Sequence, residues 1–359
     1  MTPKARRAPR ATRANALDAL LNSLVPAYGP PGRETGVRAV LRAALRGMGP
    51  VSEDALGNLH LHREGRGPRL LLVAAMDAPG VIVTRLESNG NARIDLLGGR
   101  SAAELVGAVV VFPEGRRALV SFDRPSNGKD AGAPEAGSLY LVTGLDKNTA
   151  AKRFPVGSVG MVESRVDRLG DQWRSPSLDN RAGAAAVVAA LKKTPKSAYD
   201  LHVVFAAQSE LGSRGALTGA FGVDPELAIV VELAHVGDGK DQSSVTLGEG
   251  PCVGLKEHGY IAHPRGLDLA RKAAKAARVP IQYLVRDEGS TDAGAVRRSG
   301  VGVPTVLIAI PARKTGGPDS LVHARDLERT VDLVARLLVT PPAPEPAPRK
   351  RAPRRGGAR

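Results

Sequence analysis

The 359-residue sequence predicts an α/β domain interrupted by a β-rich insertion. Three observations carry that reading. Apolar runs at 70–76, 201–207 and 227–231 are short and continuous, as in strands buried on both faces of a sheet. Helix-spaced apolar stripes lie around and between them. From Ala78 to about Asp171 the texture changes to short alternating segments separated by Gly, Asn and Pro turns. The expected division is residues 1–13 as a basic disordered arm, 14–77 and 172–340 as the α/β domain, 78–171 as the insert, and 341–359 as a disordered Pro/Ala/Arg tail.

In chain order, Leu17, Leu20, Leu21, Leu24 and Val25 give a first helix, ended by Gly29-Pro30-Pro31-Gly32. A second helix starts near Glu34 and ends near Gly47 or Gly49. Leu56–His62 alternates as a half-exposed strand, which puts His60 and His62 on its solvent side rather than among metal ligands. The run from Leu70 is a buried strand ending at Asp77. Within the insert, Val81–Leu86, Val106–Phe112 and Leu139–Val142 read as strands. An Ala/Val-rich helix opens at Leu178-Asp179-Asn180-Arg181-Ala182-Gly183 and runs to about Leu191. Then come the Leu201 strand, the strand from Leu227 to Glu232, a helix over 265–277, a strand over 305–310 and a final helix over 326–338.

Composition bounds the class. Aromatic residues make up only 3 %, so the core must be built mainly from Ala, Val and Leu. The single cysteine, Cys252, excludes an internal disulfide and fits a reducing compartment, and its apolar neighbours mark it as a small buried hydrophobe. No apolar run is long enough for a membrane span, so a cytoplasmic protein with no membrane partner is expected. The net charge of +15 is concentrated at the ends: residues 1–13 and 341–359 each carry +5, leaving +5 for everything between. Such arms can touch nucleic acid or another polyanion without sequence preference, but they lack aromatics for base stacking.

The chemistry-bearing feature is a set of acids. Asp77, Glu210 and Glu232 stand at the carboxyl ends of three separate predicted strands, and Asp179 at the start of a helix. In a parallel sheet those ends line the ligand crevice. Four acids meeting there suggest metal binding or acid–base chemistry.

The order of motifs resembles the tetrahedral aminopeptidases, a family of dinuclear metallopeptidases that includes glutamyl and deblocking aminopeptidases. The likeness runs from about Leu17 to Leu338. It rests on Asp54-Ala55-Leu56-Gly57-Asn58, Ala75-Met76-Asp77, Leu178–Gly183, Gln208–Gly212, Glu232–Asp238, Leu247–Pro251, Thr291-Asp292-Ala293-Gly294 and Val303-Pro304-Thr305. The resemblance implies a phosphorylase/hydrolase-like peptidase domain with an inserted β-barrel-like domain of dimerisation type. It also implies a homo-oligomer, either a dimer or a larger assembly, and a cleft for a peptide.

Carried over position by position, the resemblance makes Asp179 the bridging metal ligand, with Glu210 and Glu232 as ligands of one metal each. It also places Ala75 where the first histidine ligand should stand, Gly316 where the second should stand, and Ser209 where a glutamate should act as general base. Asp77, which would orient the first histidine, is left as a remnant. Without imidazole donors, tight zinc is not expected, and three carboxylates would hold Mg²⁺ or Mn²⁺ only weakly. Serine cannot take a proton from water near neutral pH, and a general base is worth about 10²–10⁴-fold in rate. Substitution by His235, His258, His263 or His323 is not expected, nor is Ser209 as a nucleophile without a histidine partner. The expected function is therefore a metallo-aminopeptidase-family protein with an eroded site, inactive or strongly impaired. The alternatives are a hydrolase using a carboxylate-only Mg²⁺ or Mn²⁺ site, zinc occupancy if the site is intact after all, and a polyanion binder acting through its tails.

Overall fold

A computed structural model describes residues 13–123, 133–236, 245–287, 289–313 and 320–341. The chain opens with α1 (Arg13–Leu24), α2 (Thr35–Ala44), β1 (Val51–Glu53), β2 (Leu59–Arg63) and β3 (Arg69–Ala75). It continues with β4 (Gly80–Leu86), β5 (Ala92–Leu97), α3 (Ala102–Leu105), β6 (Val109–Val111), β7 (Arg117–Phe122), β8 (Leu139–Val142), α4 (Lys147–Arg153) and β9 (Val159–Val162). Next come β10 (Asp167–Leu169), β11 (Gln172–Arg174), α5 (Leu178–Lys193), β12 (Asp200–Ala206), α6 (Arg214–Val223) and β13 (Leu227–His235). The chain then forms β14 (Cys252–Glu257), β15 (Tyr260–Ile261), α7 (Pro264–Ala277), β16 (Gln282–Val285), α8 (Asp292–Val296), β17 (Thr305–Arg313), β18 (Leu321–His323) and α9 (Ala324–Leu337).

Strands β12, β3, β13 and β17 lie side by side and parallel in a twelve-stranded sheet. Their side chains alternate between two cores, which is why the sequence shows unbroken apolar runs there. In β3, Leu70, Leu72 and Ala74 join the core that includes residues of α1, α5, α7 and α9. Leu71 and Val73 join the opposite core with Ala216 and Ala220 of α6 and Val296 of α8. The scarcity of aromatics is matched by close backbone approach. A Cβ on Gly183 of α5 would sit 2.7 Å from the carbonyl oxygen of Val231, so only glycine lets that helix lie directly on β13.

The insert closes into a six-stranded barrel in the order β4-β5-β8-β7-β6-β9. Val81, Val83, Ile94, Val110, Val120, Leu139 and Leu141 fill it. One expected strand is shorter than the sequence suggests. Instead of Val106–Phe112, only Val109–Val111 forms the strand: α3, opened by the Ser101–Glu104 capping box, ends at Leu105, and Gly107 turns the chain at φ +83°. The expected arms, residues 1–13 and 341–359, fall outside the described residues except for Arg13, which starts α1, and Pro341. No described helix is long and apolar enough to cross a membrane.

Candidate functional site

Because the four central strands run parallel, their carboxyl ends share one edge of the sheet. Asp77 lies just past β3, Glu210 past β12 and Glu232 within β13, while Asp179 sits at the start of α5. The loop after β12 is held by its backbone. The amide of Gln208, whose φ is +53°, donates to Glu34 Oε1 at 3.0 Å. The next two amides, of Ser209 and Glu210, donate to the two oxygens of Asp77 at 3.1 and 3.0 Å. Asp77 is thus not idle without a histidine: it anchors the turn that presents Ser209 and Glu210. Glu34, almost fully buried at the start of α2, shares that work.

Further in, the Ser209 hydroxyl donates to Asp292 Oδ1 at 2.6 Å, and the Asp292 amide donates to Glu232 Oε1 at 2.8 Å. The other oxygen of Asp292 is buried without a hydrogen-bond partner among the described residues. Glu257 accepts from the Thr291 amide at 2.9 Å and from Arg286 at 2.7 Å.

The barrel contributes the roof. The Gly99 amide donates to Glu210 Oε2 at 3.3 Å. The backbone at Gly98, with φ +113°, favours glycine, and a Cβ there would fall 2.7 Å from that same oxygen and displace the Glu210 carboxyl. Arg100 is buried, bonded through Nη2 to the Pro176 carbonyl, while its Nε and Nη1 find no partner among the described residues.

Crowding acids away from water favours their neutral forms. Burial, reinforced by the neighbouring Asp179 and Asp77, pushes Glu210 up to about 8. Burial lifts Asp77 to about 7, against the pull of its two backbone donors. It lifts Asp179 to about 6, opposed by the charges of Arg286 and Arg100. Glu232 is raised well above the carboxylate range by burial and the adjacent Asp292. The cluster's negative charge is therefore reduced, by its raised proton affinity and by the nearby Arg100 and Arg286. Such carboxyls can donate hydrogen bonds and exchange protons, and the arginines can receive an anionic group.

Of the positions where the resemblance expects nitrogen or base donors, Ala75 ends β3 as a buried methyl, and Gly316 lies outside the described residues. His263 and His323 are used as helix caps, each accepting a backbone amide through Nδ1, from Arg265 and Arg325. His235 and His258 are exposed. Cys252 is buried and its thiol is pushed up to about 12, an inert side chain. Among the described residues, one set of three potential ligands brings its donor atoms within 4.8 Å of one another. It is His62, Asp200 and His202, at the other end of β12, and not the Asp179, Glu210 and Glu232 set.

The profile of the M42 glutamyl aminopeptidases matches residues 57–333. The chain belongs to this family. The lysyl aminopeptidase of Pyrococcus furiosus is 27% identical over 335 residues, covering 89% of this chain and 96% of that one. Among solved structures, the aminopeptidase APDkam598 from the archaeon Desulfurococcus kamchatkensis superposes with a TM-score of 0.86 at 25% identity, over 92% of this chain and 96% of that one. The Pyrococcus horikoshii TET1 peptidase, which can assemble into a tetrahedron or a large octahedral shell, shares the fold at a TM-score of 0.82 and 23% identity, over 90% and 99% of the two chains.

Sequence reasoning missed several residues of this end of the sheet. Asp292 lay inside a quoted motif, but nothing local marks it as the partner of Ser209. Arg100 follows two glycines whose tight backbone was the available signal. Glu34 and Glu257 carry no local sign of the burial that the fold gives them.

Proposed function

We propose that this M42 family protein has lost, or nearly lost, aminopeptidase catalysis while keeping the family fold and a cleft able to hold a peptide. The observation that carries the reading is Ser209. It stands where the resemblance expects a general base, and its hydroxyl is committed as a donor to Asp292. A serine hydroxyl does not accept a proton from water near neutral pH.

The donor set also fails to fit the family's two-metal centre. Asp179, Glu210 and Glu232 are read as remnant ligands, without imidazole at Ala75 or Gly316 and with two arginine charges close by. Carboxylates carrying protons are poor ligands, since a metal must displace those protons first. Weak Mg²⁺ or Mn²⁺ is the most this arrangement supports. What remains is a set of carboxyls with raised proton affinity beside Arg100 and Arg286, suited to hydrogen-bonding a peptide's polar groups.

We read the protein as a cytoplasmic homo-oligomer. The assemblies of the Pyrococcus horikoshii relative support this. So do Leu217 and Phe221, one turn apart on α6 and 42% and 72% exposed, with exposed Val301 also available for contact. Turnover of a panel of aminoacyl anilides, with Zn²⁺, Co²⁺ or Mn²⁺ added, tests the central reading. Background rates are expected. Turnover that scales with protein and vanishes in Glu210→Gln overturns it.

A further inference from the structure

We propose that His62, Asp200 and His202 form a mononuclear site for a divalent transition metal of the zinc class. The site lies at the end of β12 opposite the acid cluster. Asp200 opens that strand and Ala206 closes it, six residues and about 20 Å further on at the usual rise. The inference is therefore independent of the reading given for the carboxylates.

The antiparallel register of β2 and β12 sets His62 directly opposite His202. Their rings stack with centroids 4.2 Å apart and planes 13° from parallel. Asp200 precedes His202 by two residues and so lies on the same face. One of its oxygens is 2.8 Å from His62 Nε2, the other 3.3 Å from His202 Nε2. A tetrahedral zinc with bonds of about 2.0–2.1 Å holds its ligand atoms roughly 3.4 Å apart. The two Asp200–histidine distances already stand near that spacing and the three donor atoms lie within 4.8 Å of one another, so a metal would replace two hydrogen bonds once the stacked rings tilt to aim both Nε2 lone pairs at it.

Two imidazoles and one carboxylate form a donor set that zinc uses with water in the fourth position. The ligands line an open cleft of about 730 Å³, shared with Ser52, Asp54, His60 and Thr218, which gives the ion a way in and the water a place to stand. His60, on the same face of β2, is held by Asp54 at 3.0 Å. Arg69, also in the cleft, is occupied by Asp224 at 3.0 Å. A bound ion would staple β2, and with it edge strand β1, to the parallel core.

Untagged full-length protein, stripped with a chelator, is titrated with Zn²⁺, and with Co²⁺ as a spectroscopic reporter. The expected result is one equivalent bound at micromolar concentration or tighter, a tetrahedral Co²⁺ absorption band and a raised Tm. His62→Ala/His202→Ala should abolish all three, and His62→Gln alone should weaken binding by at least ~10-fold. Asp179→Asn should leave binding intact. His62 is 43% exposed, so its replacement spares the fold, which the metal-free Tm verifies. Absence of uptake at micromolar Zn²⁺, or uptake that persists in the double variant, overturns the proposal.

Discussion

The Ser209 hydroxyl and Asp292 Oδ1, 2.6 Å apart, tie the loop after β12 to the start of α8 across the edge of the sheet. Asp292 in turn reaches Glu232 through its amide, so one serine closes a chain of contacts between the ends of two parallel strands. Removing the hydroxyl leaves a buried carboxyl short of a donor, because the other Asp292 oxygen already has no partner among the described residues. Ser209→Ala is expected to cost about 1–3 kcal/mol of stability. Urea unfolding measures it, and a change below ~0.5 kcal/mol would mean the contact contributes nothing.

The raised acids fix the sign of a pH dependence. Asp77, Asp179 and Glu210 hold protons in the folded chain up to about 7, 6 and 8, whereas the ordinary values are 3.8, 3.8 and 4.5. Between those limits the folded state binds more protons than the unfolded, so stability falls as pH rises. Unfolding free energy should decline from pH 5.5 to 8 in metal-free protein, and Glu210→Gln should decline less steeply. Equal slopes would contradict the assignment of a proton to Glu210.

Arg100 acts on the same balance from the barrel side. It opposes the charge of Glu210 and Asp179, and burial alone would lower its own affinity for its proton. Arg100→Met keeps much of the apolar stem and removes the cation. Its destabilisation should be small at pH 5.5, where the acids are largely neutral, and larger at pH 8. A pH-independent loss would assign Arg100 a packing role only.

If donors are what the site lacks, restoring them should restore chemistry. Ser209→Glu alone should stay inactive, since a base without an activated water has nothing to act on. The triple variant Ala75→His/Ser209→Glu/Gly316→His should bind zinc at the carboxylates and hydrolyse aminoacyl anilides. Activity in the single variant would show that metal binding had never been lost.

Much of this was legible in the sequence, and the residues show why. Strands buried on both faces announce themselves, so β3, β12 and β13 and the acids at their ends could be placed from apolar runs alone. The barrel was readable as texture, but α3 was not, because a four-residue helix set by a capping box leaves no periodicity. Partners brought together by topology were invisible. Asp292 with Ser209 and Arg100 with Glu210 are separated by 83 and 110 positions, and only the packed chain joins them. His62 illustrates the same limit: alternation put it on an outer face, yet the strand register that pairs it with His202 could not be read.

Loss of the family's metal centre is tested by anomalous scattering from crystals soaked in Zn²⁺. The expected map has no peak among Asp179, Glu210 and Glu232, and one peak between His62, Asp200 and His202. Two peaks bridged by Asp179 would contradict the loss of the family's metal centre.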